Sequence, residues 1–166
     1  MNDFNKKSDL KTKKKEGWDL YRNFIKKDAV DVSDVKKLDA ANKIISLCKR
    51  MEPYTAYVLT CLSIAEYYLN GNSPEEGKEW LLKLDKPYLE NKALKYIGGF
   101  SREEMYWSQL RKFFELKALY FSKTNNTDKC IWMYFCLLDQ CSNSKTQIET
   151  INNLIYNEIY KTNIIA

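Results

Sequence analysis

Glycine and proline are scarce in this chain, and their scarcity limits the folds that it can adopt. There are five glycines and three prolines in 166 residues. A β-sandwich or β-barrel needs a tight turn about every ten residues, and these two residue types build many of those turns. So few of them cannot supply an all-β fold. The sequence therefore predicts an all-α chain of about seven or eight long helices joined by short loops.

Signals for the starts and ends of helices support this prediction. Ser33 is expected to cap the second helix, and Asn70 with Gly71 to end the third. The run from Ser73 to Glu76 combines a capping serine, a proline at the first helical position and a glutamate that can complete a capping box. Further helices are predicted from Pro87 to Ile97, from Ser101, from Thr127 or Asp128, and as a last helix ending near Lys161.

Apolar residues recur at three- and four-residue steps from Glu16 onward, which predicts one buried face on each helix. The segment from Tyr54 to Leu69 is apolar nearly all round, with Glu66 as its one charge, and is expected at the centre of the fold. Elsewhere the residues expected to face inward are Trp18, Tyr21, Ile25 and Ala29; Val35, Leu38, Ala41, Ile45 and Cys48; Trp80, Leu81 and Leu84; Tyr106, Leu110, Phe113, Phe114, Ala118 and Phe121; Ile131, Trp132, Phe135, Leu138 and Cys141; and Ile148, Ile151, Leu154, Ile155 and Ile159.

One part of the chain resembles a tetratricopeptide helix pair. The residues that carry the resemblance are Leu59, Leu62, Ser63, Tyr67, Gly77, Leu81 and Leu84, which follow the family's pattern of leucines, aromatics and small residues. The resemblance covers about thirty residues. It implies antiparallel helical hairpins stacked as a short α-solenoid, and an irregular helical bundle is the alternative.

Positive charge is concentrated at the N-terminus. Residues 1–50 carry a net charge of +6, and residues 51–166 a net charge of −1. We therefore expect residues 1–15 to form a basic flexible tail and residues 16–166 a single helical domain. The tail is either a solvated extension that aids solubility or an address for polyanions or nuclear import. In the second case the lysines involved are Lys11, Lys13, Lys14 and Lys15.

The sequence contains no histidine, which removes the commonest general base and the favoured neutral metal ligand. Cys130 and Cys141 could share one helix face, but the chain has no closely spaced cysteine pair of the zinc-finger kind. We therefore predict no catalytic residues, no metal and no cofactor. An odd number of cysteines indicates a reduced, intracellular protein of the cytoplasm or nucleus, and no apolar stretch is long enough to cross a membrane.

Aromatic residues make up 14% of the chain, with twelve tyrosines, which is more than a core of this size needs. Aromatic side chains on helical surfaces are frequent anchors for protein partners. We therefore expect a protein–protein interaction scaffold, or a non-catalytic subunit of a larger complex. A nucleic-acid-associated protein using the lysine-rich tail and a small enzyme with an unrecognised carboxylate or tyrosine site are the alternatives. The residues predicted to bind the partner are Tyr57, Glu66, Tyr67, Trp80, Tyr106 and Trp107.

Overall fold

A computed structural model describes residues 2–26, 33–48, 55–85, 100–140 and 144–165, with side chains described in residues 6–26, 33–47, 56–84, 108–139 and 144–161. Every regular element in these ranges is helical, which confirms the all-α prediction. The short helix predicted from Pro87 to Ile97 lies outside them. The elements are α1 (Asn2–Leu20) with a π-helical turn (Tyr21–Ile25), α2 (Asp34–Cys48), α3 (Thr55–Asn70), α4 (Pro74–Asp85), α5 (Phe100–Lys123), α6 (Thr127–Gln140) and α7 (Lys145–Ile165).

Several helix boundaries fall where the sequence places them. The Ser33 hydroxyl accepts a hydrogen bond from the backbone N–H of Lys36 at 3.5 Å, so it caps α2. Helix α3 ends at Asn70, and α4 begins at Pro74 as predicted. Helix α7 continues to Ile165, beyond the predicted end near Lys161. These signals are local, so they can be read without knowledge of the tertiary structure.

The connection between α5 and α6 is built by two asparagines. Asn125 has φ 58°, in the left-handed region, and its N–H donates to the Ser122 carbonyl at 3.2 Å. The Asn126 N–H donates to the Phe121 carbonyl at 2.8 Å, which completes a Schellman arrangement at the end of α5. The Asn126 side chain then accepts the Lys129 N–H at 3.3 Å. The cap of α6 is therefore Asn126, and the expectation of Thr127 or Asp128 is wrong.

The chain divides into two compact units, Met1–Ile64 and Ala65–Ala166, and the division falls within α3. In the first unit, α1 and its π-helical turn pack against α2. Ile25, Ala41 and Ile44 are buried there, but Val35 is 69% exposed and does not face the core. Helix α1 begins at Asn2 rather than near Glu16, so residues of the predicted tail are helical.

The second unit is built from neighbouring helices that pack in sequence order. Helix α4 packs on α5, α5 on α6, and α6 on α7. Helix α4 turns Trp80, Leu81 and Leu84 inward as predicted. The other buried apolar side chains among the described residues of this unit are Ala65, Leu69, Leu110, Phe113, Leu116, Ala118, Cys130, Tyr134, Leu137 and Ile151.

The last helix differs from its predicted inward face. Ile151 is buried, and Ile148 and Ile155 pack partly against the same core. Leu154 and Ile159 are exposed, so the expectation that they face inward is wrong. In the turn after Ile155 the buried side chain is that of Glu158, not Ile159. No helix among the described residues is long and apolar enough to cross a membrane.

Candidate functional site

A pocket of about 470 Å³ lies in the second unit beside α4, α5 and the start of α6. Of the nine described residues that line it, three are lysines and none is acidic. We call this site the lysine pocket. It combines the three ammonium groups with aliphatic, aromatic and polar surface. Its lining residues are Lys78, Leu81, Leu82, Lys117, Tyr120, Phe121, Thr124, Asn126 and Lys129.

Each of the three lysines lies over an aromatic ring. The distance from the ammonium nitrogen to the ring centroid is 5.6 Å for Lys78 over Tyr120 and 5.6 Å for Lys129 over Phe121. Lys117 lies 4.7 Å from the ring of Phe113. Cation–π contacts of this kind restrict a lysine side chain without neutralising its charge. The pocket therefore presents ammonium groups that are partly ordered and still positive.

One carboxylate lies close to the pocket and contacts two of its residues. Glu75 accepts a hydrogen bond from the Tyr120 hydroxyl at 2.9 Å and lies 3.7 Å from the Lys78 ammonium. The hydrogen bond with Tyr120 and the charge of Glu75 raise the pKa of Lys78. Burial and the hydrogen bond to Glu75 raise the pKa of Tyr120. Lys78 is therefore cationic and Tyr120 neutral at physiological pH.

The first turn of α6 adds a further source of positive potential. Asn126, which lines the pocket, caps this 14-residue helix through the Lys129 N–H. The partial positive charge of a helix N-terminus adds to that of nearby cations. Chemically, the arrangement suits an oxyanion such as a carboxylate.

An exposed aromatic surface lies on α6 directly after the pocket. Trp132 is 64% exposed and Phe135 is 52% exposed. We call these two residues the α6 aromatic face. They lie three and six residues after Lys129, so Lys129 and Trp132 project from the same side of the helix. The expectation that Trp132 and Phe135 face inward is wrong, because α6 buries Cys130, Tyr134 and Leu137 instead.

The predicted partner-binding residues are placed in different environments. Trp80 is 8% exposed and belongs to the core, with Lys83 over its ring at 5.3 Å. Tyr67 is exposed, and its ring lies 5.5 Å from that of Tyr68. Tyr57 is half-buried in the first unit. The side chains of Tyr106 and Trp107 lie outside the described residues.

The lone charge of the apolar helix has a definite partner. The Lys112 ammonium donates to Glu66 at 2.7 Å, so α5 supplies the counter-charge for α3. Both side chains are half-buried, where such a pair fixes the register of two helices more than it adds stability.

The lysines of the predicted N-terminal tail lie on α1. Lys11, Lys14 and Lys15 are exposed and fall on one side of the helix at steps of three and four residues. Lys13 forms an ion pair with Asp9 at 2.8 Å. This side of α1 therefore has the charge pattern that the polyanion hypothesis requires, displayed on a helix.

A partly buried polar cluster joins α5 and α7. The Ser122 hydroxyl donates to Glu158 at 2.8 Å, and the Lys161 ammonium donates to the Ser122 carbonyl at 3.1 Å. Glu158 is buried despite its charge. Burial first, and then the charge of Glu158, raise the pKa of Cys130 to about 11, and burial also raises the pKa of Tyr134. The thiol and phenol are therefore neutral, which indicates packing rather than chemistry.

Cys61, Cys130 and Cys136 form no disulfide among the described residues, and Cys141 lies outside those residues. Within the parts of the chain that the structure describes, no group of three or more histidine, cysteine or acidic residues could hold a metal ion.

The three pocket lysines could not be identified from the sequence alone. Lys117, Phe121 and Thr124 recur along one side of α5, but Lys78 and Lys129 come from other helices and join them through tertiary packing. Comparison of the chain with protein-family models, curated proteins and solved structures finds no match. The geometry of the pocket and the α6 aromatic face is therefore the basis for a function.

Proposed function

We propose that this chain is a protein–protein interaction scaffold, or a non-catalytic subunit of a larger complex, that binds a partner peptide or helix on an aromatic-rich helical surface. The α6 aromatic face is the observation that carries the proposal. Trp132 and Phe135 expose large apolar area at one-turn spacing on a single helix. Exposed tryptophan and phenylalanine are enriched at the centres of protein interfaces, and their burial by a partner is strongly favourable.

The arrangement of helices in the second unit supports the proposal. Helix α3 is joined to α4, and α5 to α6, by connections of three residues, which favour antiparallel hairpins. Contacts between α4 and α5 stack one hairpin on the next. Stacks of this kind, including the tetratricopeptide-like stack that the sequence resembles, cover only their neighbours and leave extended surfaces for partners. An intracellular location, cytoplasmic or nuclear, belongs to the same proposal.

Site-specific photo-crosslinking in the natural host tests this function. Benzoylphenylalanine would replace Phe135, and in a control chain it would replace Glu149, which is exposed on α7. We expect a defined protein adduct from position 135 that is lost on adding Trp132→Lys and is absent from position 149. The adduct should persist in nuclease-treated, high-salt extracts. If position 135 yields no more adduct than position 149, the proposal is wrong.

A second candidate function rests on the exposed lysines of α1. Lys11, Lys14 and Lys15 lie on one side of that helix, where they could contact successive phosphates of a nucleic acid. In this case deletion of residues 1–15 should abolish binding to duplex DNA or RNA, and affinity should fall steeply with salt. Under the scaffold proposal the deletion leaves the adduct at position 135 unchanged. The full-length chain and the chain without residues 1–15 therefore distinguish the two candidate functions.

A further inference from the structure

We propose that the lysine pocket binds acidic side chains of a partner protein segment whose apolar residues pack on the adjoining α6 aromatic face. This inference rests on the protein-binding function proposed above and names the chemistry of the partner. One bound segment would contact both the lysine pocket and the α6 aromatic face, because α6 contributes residues to both. The occupant is an acidic peptide segment with at least one large apolar residue beside its carboxylates.

Charge complementarity is the first argument. Among the described residues that line the pocket three are lysines and none is acidic, so the positive charge of the lining attracts carboxylates. A carboxylate of the chain itself already lies beside one of these lysines. The Glu75 carboxylate is 3.7 Å from the Lys78 ammonium and accepts a hydrogen bond from the Tyr120 hydroxyl. Lys117 and Lys129 lie over aromatic rings, and these contacts leave the ammonium groups positively charged.

The shape and composition of the pocket favour a peptide over other polyanions. Leu81 and Leu82 supply aliphatic wall, and Leu82 is exposed. Aliphatic side chains pack on leucine, whereas single-stranded nucleic acid uses rows of flat aromatic rings along a basic groove. The lysines converge on one cavity of about 470 Å³, a size that holds a few side chains. Duplex nucleic acid or a membrane surface instead needs cations spread over an open face.

Spacing along α6 sets the length of the partner segment. Lys129 precedes Trp132 by three residues and Phe135 by six, which is about 4.5 and 9 Å along the helix axis. A partner segment of about two helical turns therefore reaches both surfaces. Its acidic residues must lie within a turn of its apolar anchor. This combination describes an amphipathic acidic helix or a short extended acidic peptide.

Fluorescence anisotropy with a synthetic peptide tests the inference. The probe is a fluorescein-labelled peptide of glutamates and leucines with one tryptophan, and its control carries glutamine in place of every glutamate. A uridine oligonucleotide and vesicles containing phosphatidylserine serve as the other polyanions. The full-length chain is compared with two triple variants that lose the same charge. The pocket variant is Lys78→Gln/Lys117→Gln/Lys129→Gln, and the control variant is Lys36→Gln/Lys43→Gln/Lys145→Gln, whose lysines are exposed and lie outside the pocket.

We expect the glutamate peptide to bind more tightly than its glutamine control and than the other polyanions. Each exposed charge pair contributes a factor of two or three in affinity, so the pocket variant should bind about tenfold more weakly. The control variant should change affinity by less than threefold. Trp132→Ala should weaken binding of the peptide that contains tryptophan. Binding of a peptide without tryptophan should be unaffected.

Equal loss in the two triple variants would mean that net charge alone drives binding, and the inference would be wrong. If the oligonucleotide or the vesicles bind more tightly than the glutamate peptide, and the pocket variant loses that binding, the pocket belongs to another polyanion. This result would also overturn the inference. The crosslink from position 135 reports separately on the proposed function. If that crosslink persists while the peptide result fails, the scaffold function stands and the assignment of the pocket does not.

Discussion

Gly77 lies on the buried side of α4, facing α3, and its replacement by alanine tests how closely these helices pack. A Cβ atom at this position would lie 2.7 Å from Cγ and 3.0 Å from Cδ2 of Leu69, and 3.2 Å from the Ala65 carbonyl oxygen. Leu69 is fully buried, so its side chain has no open space into which it could turn. The added methyl group must therefore push the two helices apart or force Leu69 from its rotamer.

Two opposing terms decide the sign of the change in stability. Alanine is favoured over glycine inside a helix by about 1 kcal/mol. Overpacking a well-filled core by one methyl group costs about 1–3 kcal/mol. With contacts at and below 3.0 Å the steric term is the larger, and we expect Gly77→Ala to lower the free energy of unfolding by about 1 kcal/mol. The melting temperature should fall by about 3 °C.

Thermal and urea unfolding followed by circular dichroism would measure the effect, with Gly71→Ala as the matched control. A Cβ atom at Gly71 would lie 3.5 Å from the nearest carbonyl oxygens, which is an ordinary contact, so we expect a change below about 0.5 kcal/mol. In a Leu69→Ala background the cost of Gly77→Ala should disappear, because its main steric partner is gone. If Gly77→Ala stabilises the chain by the full helix-propensity gain, the reasoning from close packing is refuted.

Four further substitutions test groups that are buried or contact a buried group. Glu158→Ala should lower the free energy of unfolding by about 2 kcal/mol, because the Ser122 hydroxyl loses its charged acceptor, and Ser122→Ala should cost about half as much in the same melts. Burial raises the pKa of Cys130 to about 11 from 9.0. The contribution of the neutral thiol to stability is therefore complete below pH 9 and is lost as the pH rises toward 11. Urea titrations should show this fall in the free energy of unfolding, and Cys130→Ala should make the fall smaller. The Thr60 hydroxyl is buried without a hydrogen-bond partner among the described residues, so Thr60→Val should leave stability unchanged or raise it by about 1 kcal/mol, whereas a clear loss would reveal an unseen partner.

The helices could be predicted from the sequence because their signals are local. The run from Ser73 to Glu76 places the start of α4 at Pro74, and apolar periodicity assigns Leu81 and Leu84 to the core. The α5–α6 connection was harder, because Asn125 and Asn126 each tolerate several roles. In the structure Asn125 is the left-handed residue that ends α5, and Asn126 caps α6.

The surfaces that carry the proposals could not be predicted in the same way. Trp80 and Trp132 both occur at helical spacing, yet the first is buried and the second exposed, since the outcome depends on which side of each helix meets a neighbour. The lysine pocket gathers side chains from three stretches of sequence, and a charge count over residues 51–166 gives nearly zero. Burial of Glu158 likewise depends on Ser122, which lies 36 residues away along the chain.

The way α7 is attached has a consequence for the order in which the second unit opens. Among its described apolar side chains Ile151 is buried, and much of the remaining contact comes from partly buried isoleucines and from polar bonds through Glu158 and Lys161. Segments with little apolar burial open at lower free energy than the core helices. Amide protons of α7 should therefore exchange with deuterium before those of the buried parts of α5 and α6. Each such opening uncovers the Cys130 thiol, so oxidants and alkylating reagents reach it at the rate at which this helix detaches.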